Sequence, residues 1–271
     1  MLATINFFSV VLGMNSAMHV ILPDKYDHQG RPSGRKDPYP VLYLFHGGGD
    51  NHTKWLRYTA IERYAEERQI AVVMPASLQG WYTDMKLGYD FFTFFNEELP
   101  EIVHRNFPKI SQAPEDTFVA GLSMGGMGAL KWAFVNPERV AAVASLSSSI
   151  DMKVSMGRAI KATGKVPDNM RLIWGSPEEI DQTVDDVPWL IDQAIASGKK
   201  LPKVFIAVGT EDFTYQCNVD FRDQYSDKLD LTYLEEPGSH TWEFWDRNIQ
   251  RVIKWLPITE AVPAEQQEGG K

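Results

Sequence analysis

Short apolar runs recur along the chain and alternate with helix-length segments. The runs at 41–45, 70–74, 117–120, 140–146 and 204–208 are apolar on both faces, with a weaker one at 231–234. A strand without polar alternation must be covered on both sides, which is the condition of a parallel sheet between two helix layers. The segments 58–69, 90–107, 124–136, 214–229 and 241–256 predict the helices. Pro137 has no N–H with which to continue the third and ends it. The first two runs, 4–12 and 16–22, leave no room for a helix between them. They predict an antiparallel hairpin turning over Gly13-Met14-Asn15. A hairpin followed by repeated βα units is an α/β fold with a mostly parallel central sheet and helices on both faces.

Two segments lack this pattern. Residues 24–40 are polar with Gly and Pro and read as a loop, and 257–271 read as a frayed, flexible tail. The stretch 147–200 is longer than a plain βα connection needs and carries Lys153, Arg158, Lys161 and Lys165 near its middle. It reads as a small cap insertion. The expected organisation is a single domain over 1–256, with the cap segment 147–200, and the tail after it.

Composition narrows the function classes. The chain has 271 residues, 44% of them hydrophobic, enough to bury a core without metal or disulfide. With 27 basic and 36 acidic residues the formal charge is −9. That balance argues against nucleic acid and anionic membrane as partners. Cys217 is the single cysteine, so no intrachain disulfide forms, and a cytoplasmic location is expected. No run of about 18 apolar residues predicts a membrane span, and the first residues lack the basic and apolar regions of a signal peptide.

In a doubly covered parallel sheet, ligands bind beyond the carboxyl ends of the strands. Gly121-Leu122-Ser123-Met124-Gly125-Gly126 follows the run 117–120 and opens a predicted helix. This G-x-S-x-G reads as a nucleophile elbow: a sharp turn that lifts the serine hydroxyl above the sheet at a helix N-terminus. His46-Gly47-Gly48-Gly49 follows the run 41–45. Acyl transfer needs two backbone N–H donors for the oxyanion, one from the residue after the nucleophile (Met124) and one from such a glycine loop. The serine also needs a base and an orienting acid, in chain order Ser, Asp or Glu, His. His240 is the one histidine downstream of Ser123. Between them, Asp212 in Gly209-Thr210-Glu211-Asp212 sits after a strand at a loop tip. It is preferred, with the adjacent Glu211 as rival. His19 and His104 read as structural, Asp181, Asp185 and Asp186 as a solvated face, and Trp132, Trp245 and Trp255 as packing.

The sequence resembles the esterase D family of α/β-hydrolases over roughly 5–256. Leu44-Phe45-His46-Gly47-Gly48 with Trp55, Gly80-Trp81-Tyr82-Thr83-Asp84, Glu97-Glu98-Leu99-Pro100, the elbow, and Gly238-Ser239-His240-Thr241-Trp242 occur in that family's order. Within it the chain is most similar to small bacterial tributyrin/acetyl esterases, with feruloyl esterases and S-formylglutathione hydrolases as broader relatives. The resemblance implies the α/β-hydrolase fold, a Ser123–Asp212–His240 triad, an oxyanion hole from the N–H groups of Gly48 and Met124, no metal and no cofactor. One departure stands out. His46-Gly47-Gly48-Gly49 also matches the H-G-G-G of the hormone-sensitive-lipase branch, but that branch carries an elbow like G-D-S-A-G, which Leu122 and Met124 do not match. Trp81 and Gly47 are assigned to substrate binding, and Trp81 is read equally as a pocket wall or a loop anchor.

The expectation is a serine carboxylesterase for short acyl esters, with acetylated or feruloylated sugars as candidates. An S-formylglutathione hydrolase-type thioesterase is the rival enzyme, and a catalytically silent scaffold used for binding the rival of another class. The expected partner is a small-molecule ester, with homo-oligomer formation left open.

Overall fold

The computed structural model describes residues 1–24 and 38–259. Strands β1 (Leu2–Ser9) and β2 (Met14–Ile21) form the hairpin. The last pair is Ser9 with Met14, so the turn occupies 10–13 and not the expected 13–15. Gly13 ends it at φ 63°, and a distant carboxylate fixes it. Glu98 accepts hydrogen bonds from the N–H of Val10 at 2.7 Å and of Val11 at 3.3 Å, and from the Ser9 hydroxyl.

The chain then runs through β3 (Val41–Phe45), α1 (Lys54–Tyr58), α2 (Ile61–Arg68), β4 (Ala71–Pro75), α3 (Phe91–Thr93) and α4 (Leu99–Asn106). Next come β5 (Thr117–Leu122), α5 (Met124–Val135), β6 (Ala142–Leu146), α6 (Met152–Thr163), α7 (Asp168–Ile173), α8 (Pro177–Ile180) and α9 (Val187–Ala196). β7 (Lys203–Gly209), α10 (Tyr215–Tyr225), β8 (Leu231–Glu236) and α11 (Trp242–Trp255) complete it. One sheet runs in the order β1-β2-β4-β3-β5-β6-β7-β8. β2 pairs antiparallel with both β1 and β4, and every other pair is parallel.

Two predicted helices are interrupted, each for a local reason. The segment 58–69 gives α1 and α2 with a break at Thr59. The Thr59 hydroxyl donates to the Trp55 carbonyl at 2.6 Å and accepts from the Ile61 N–H at 3.2 Å, replacing helical bonds. The segment 90–107 holds a π-helical turn over Phe94–Glu98. Pro100 cannot donate to the carbonyl of Asn96, and a wider turn just before it absorbs the misfit.

Strand alternation builds a core on each face of the sheet. Val41, Tyr43 and Phe45 of β3 join one cluster with residues of α4, α5 and α9, while Leu42 and Leu44 join the other with Trp55 and residues of α2 and α11. Helix α5 is buried from Met124 to Phe134, which requires cover on both sides. It packs on β5 and β6 and on α9. Its buried Lys131 pairs with Asp185 at 2.5 Å. This corrects the reading of the nearby aspartates as a solvated face. Asp186 is also buried, pairs with Lys153 at 2.5 Å and accepts from the Trp189 N–H at the start of α9. Only Asp181 is exposed. Most of the expected loop at 24–40, and the tail beyond Thr259, lie outside the described residues. Among those described, no helix is long and apolar enough to cross a membrane.

Candidate active site

Ser123 stands between β5 and α5 with φ 51° and ψ −118°, a conformation that favours glycine. Close packing enforces it. A Cβ on Gly121 would lie 2.2 Å from the Gly125 carbonyl oxygen, and one on Gly125 would lie 2.6 Å from the carbonyl oxygens of Phe45 and His46. The strained peptide is fully bonded. The Ser123 N–H donates to Leu146 O at 2.8 Å, and its carbonyl accepts from the Gly126 N–H at 3.0 Å and the Ser148 hydroxyl at 2.8 Å.

His240 lies in the loop between β8 and α11. Its Nε2 is 3.0 Å from Ser123 Oγ, and its Nδ1 is 2.9 Å and 3.1 Å from the Asp212 carboxylate oxygens. The Asp212 side chain is fully buried. Burial alone would raise its pKa, but hydrogen bonds from His240 and from the Thr214 N–H outweigh it and hold the carboxyl below the usual range. The Thr214 N–H and hydroxyl both donate to Asp212 Oδ1 at 2.8 Å. This geometry places Asp212, and not Glu211, against His240. Glu211 turns away to solvent, where it accepts from the Gly238 N–H at 2.5 Å and the Thr210 hydroxyl at 2.7 Å. It ties the His240 loop to the acid loop.

The glycine loop after β3 reaches the serine. A Cβ on Gly47 would lie 3.6 Å from Ser123 Cβ, and Gly48 follows it. Met124 opens α5, where the first amides of a helix have no intrahelical acceptor. His46 holds this loop. Its Nε2 accepts from the Ser77 N–H at 2.9 Å, so Nδ1 carries the proton and donates to Gly47 O at 2.8 Å. Burial pushes the His46 pKa down to about 4, against the opposing effect of the Gly47 bond. The Tyr82 hydroxyl donates to His46 O at 3.0 Å, and Trp55 Nε1 donates to Phe45 O at 3.0 Å.

Trp81 and Tyr82 are both left-handed, at φ 51° and 54°. Tyr82 is buried and stacks on Phe45 at 4.5 Å. Trp81 is half-buried and meets Trp174, between α7 and α8, edge-on at 5.3 Å. That ring contact joins Trp81 to the 147–200 segment. His19 is buried beside Thr4, and Trp132 and Trp245 are buried, as their packing roles require.

Sequence reasoning missed several groups. The individual role of His46 was hidden inside the glycine motif. Ser148 and Asn218, whose amide donates to Ser148 O and Thr214 O at 2.9 Å each, link the elbow to the acid loop and carry no local signal. Phe213 could have been found as an apolar residue beside the acid. It is 73% exposed, and its ring lies 4.5 Å from that of His240. Among the described residues no group of three or more potential metal ligands forms.

A strained serine at a strand–helix turn, bonded through histidine to a buried aspartate, defines a serine hydrolase on the α/β-hydrolase fold. The sequence model of the Esterase family matches residues 9–256, and the chain belongs to that family. It is similar to an acetyl esterase of Caldicellulosiruptor saccharolyticus, 29% identical over 93% of this chain and 96% of the relative. Two solved Staphylococcus aureus structures align at 32% identity. A fluorophosphonate-binding serine hydrolase with substrate bound gives a TM-score of 0.83 over 96% of this chain and 99% of that one. An S-formylglutathione hydrolase gives 0.81 over 94% and 98%. The protein is a carboxylic ester hydrolase of the serine type.

Proposed function

We propose that Ser123, His240 and Asp212 carry out ester hydrolysis through an acyl-enzyme. The observation that carries this reading is the unbroken line from Ser123 Oγ through His240 to buried Asp212. Ser123 Oγ bonds to the ester carbonyl carbon as its proton passes to His240 Nε2. The carbonyl π electrons move onto oxygen, where the N–H groups of Gly48 and Met124 stabilise the charge. Collapse breaks the bond to the alcohol, which leaves with the proton from His240. Water then repeats the sequence on the acyl-enzyme. Asp212 holds the imidazole tautomer and stabilises the imidazolium.

The substrate class we favour is short acyl esters of small molecules, including acetylated and feruloylated sugars. The exposed Phe213 ring beside His240 offers an apolar face near the reacting bond, and we assign Gly47, beside Ser123, and the half-buried Trp81 to substrate binding. We treat 1–256 as one domain, with 147–200 as a cap and the tail outside it, acting in the cytoplasm on neither nucleic acid nor membrane. A second reading, S-formylglutathione hydrolysis, draws support from the similarity to the Staphylococcus aureus enzyme of that name. It uses the same groups on a thiol leaving group. The ratio of kcat/KM on S-formylglutathione to that on p-nitrophenyl acetate separates the two. The intact triad weighs against a silent scaffold.

The test is reaction with a fluorophosphonate, followed by intact mass and peptide mapping. One equivalent on the peptide containing Ser123 is expected, with p-nitrophenyl acetate hydrolysis lost in step. An adduct elsewhere, or none, overturns the assignment.

A further inference from the structure

We propose a second binding site, for a neutral mono- or disaccharide, at the amino-terminal end of the sheet. A cavity of about 490 Å³ opens there, against α4, the end of α5 and the starts of β5 and β6. Its size falls in the range of roughly 300–1,000 Å³ typical of small-molecule sites. No triad residue lines it. Ser123 precedes α5 and Asn136 follows it, so at about 1.5 Å per residue the length of the helix separates the two sites by about 18 Å.

The back wall is aromatic. Tyr43 and Trp132 meet edge-on at 4.9 Å, and both line the cavity. Tyr43 is 1% exposed, and its hydroxyl has no hydrogen-bond partner among the described residues. A buried hydroxyl without a partner is costly, and a native structure that keeps one calls for an explanation. Burial also pushes the Tyr43 pKa up, so the group stays protonated and neutral.

The rim sets the ligand class. Glu97 and Glu101 stand one helical turn apart on the lining, both exposed. Arg139 and Asn136 also line the cavity. Carboxylates only accept hydrogen bonds, guanidinium only donates, and amides do both. An anion would face the two glutamates, and an organic cation would face Arg139. A sugar needs no charge balance. It offers hydroxyls that both donate and accept, which suits a rim of carboxylates, guanidinium and amide. This inference does not depend on the roles given to the triad.

The experiment is saturation-transfer NMR on the full chain with xylobiose and cellobiose, using tetramethylammonium as the cation control. It is run before and after Ser123 is blocked with a fluorophosphonate. Transfer to a sugar is expected in both states, with a Kd of about 1 mM or weaker. Tyr43→Phe and Glu101→Gln should each weaken binding by about fivefold or more while p-nitrophenyl acetate hydrolysis is unchanged. Tyr43→Phe should keep or raise Tm, because the hydroxyl it removes has no partner, so loss of binding is not loss of fold. The proposal is overturned if neither sugar shows transfer or if transfer vanishes when Ser123 is blocked. It is equally overturned if both variants bind as the wild type does, or if tetramethylammonium binds in place of sugar.

Discussion

Ser123 and His240 touch at 3.0 Å, yet the loops that carry them are held in different ways. The elbow is held chiefly by contact, with the Ser123 peptide also hydrogen-bonded to Leu146, Gly126 and Ser148. Two glycines let backbone meet backbone where no side chain fits, and α5 is buried along nearly its whole length behind them. The acid and base loops share one such contact, since a Cβ on Gly209 would lie 2.1 Å from the Gly238 carbonyl oxygen, and are otherwise held by side-chain hydrogen bonds. Thr214 fixes Asp212, and Glu211 fixes Gly238 from the solvent side.

The largest effect should come from Ser123→Ala. The loss in kcat is expected at about 10⁴-fold or more, with the unfolding midpoint little changed. Turnover close to wild type would remove Ser123 as nucleophile. Asp212→Asn follows, with a loss of about 10³- to 10⁴-fold, because an amide favours the wrong imidazole tautomer. Circular dichroism should show the fold intact, since the Asn oxygen can still accept from Thr214. If Asp212→Asn kept most of the activity, the hydrogen-bonded half of the site would not orient the base.

Gly125→Ala probes the contact-held half. The new Cβ would lie 2.6 Å from two backbone oxygens, which cannot swing aside as a side chain can. Such overpacking should cost about 3 kcal/mol of stability, read by urea denaturation. A variant as stable as wild type would show that the elbow has slack.

The difference in restraint also explains what the sequence made legible. Steric locks leave motifs, because only particular residues fit. The elbow, the glycine loop and the strands β3 to β7, apolar on both faces, could therefore be read directly. Hydrogen bonds between distant segments leave none. Glu98 moves the first turn from 13–15 to 10–13, from far along the chain. Asp185 and Asp186 look solvated in sequence and are drawn in by Lys131 and Lys153. Turn geometry favours Asp212 over Glu211 in the sequence, whereas the two bonds that Thr214 donates to Asp212 are visible only in the fold.

His46 joins the two regimes, since hydrogen bonds through it fix the glycine loop that packs on the elbow. Its pKa is about 4 in the folded chain against 6.5 for a free histidine. The unfolded chain therefore takes up this proton first as pH falls. Stability from His46 is fully present above about pH 6.5, declines below it, and is lost by about pH 4. The difference is worth about 3 kcal/mol. Urea denaturation at pH 7 and pH 4.5 should show a smaller drop for His46→Gln than for wild type. Equal drops would mean that His46 is not held neutral.

The smallest effect is expected at Glu211, and it tests the comparison most finely. Its carboxylate accepts from the Gly238 N–H and the Thr210 hydroxyl, which hold its pKa below the usual glutamate range. Glu211→Gln keeps one acceptor oxygen in the same place, so one of those two bonds survives. The other donor is exposed, and water replaces what it loses. The backbone pairing of the two loops, with the Glu211 N–H donating to Gly238 O at 3.0 Å, is untouched by the substitution. The expected change in kcat/KM on p-nitrophenyl acetate is therefore less than about threefold. It should appear in kcat and not in KM, because Glu211 acts on the His240 loop and not on the substrate. A loss as deep as that of Asp212→Asn would mean that the acid function belongs to Glu211. A loss in KM alone would place Glu211 against the substrate and not beneath the base.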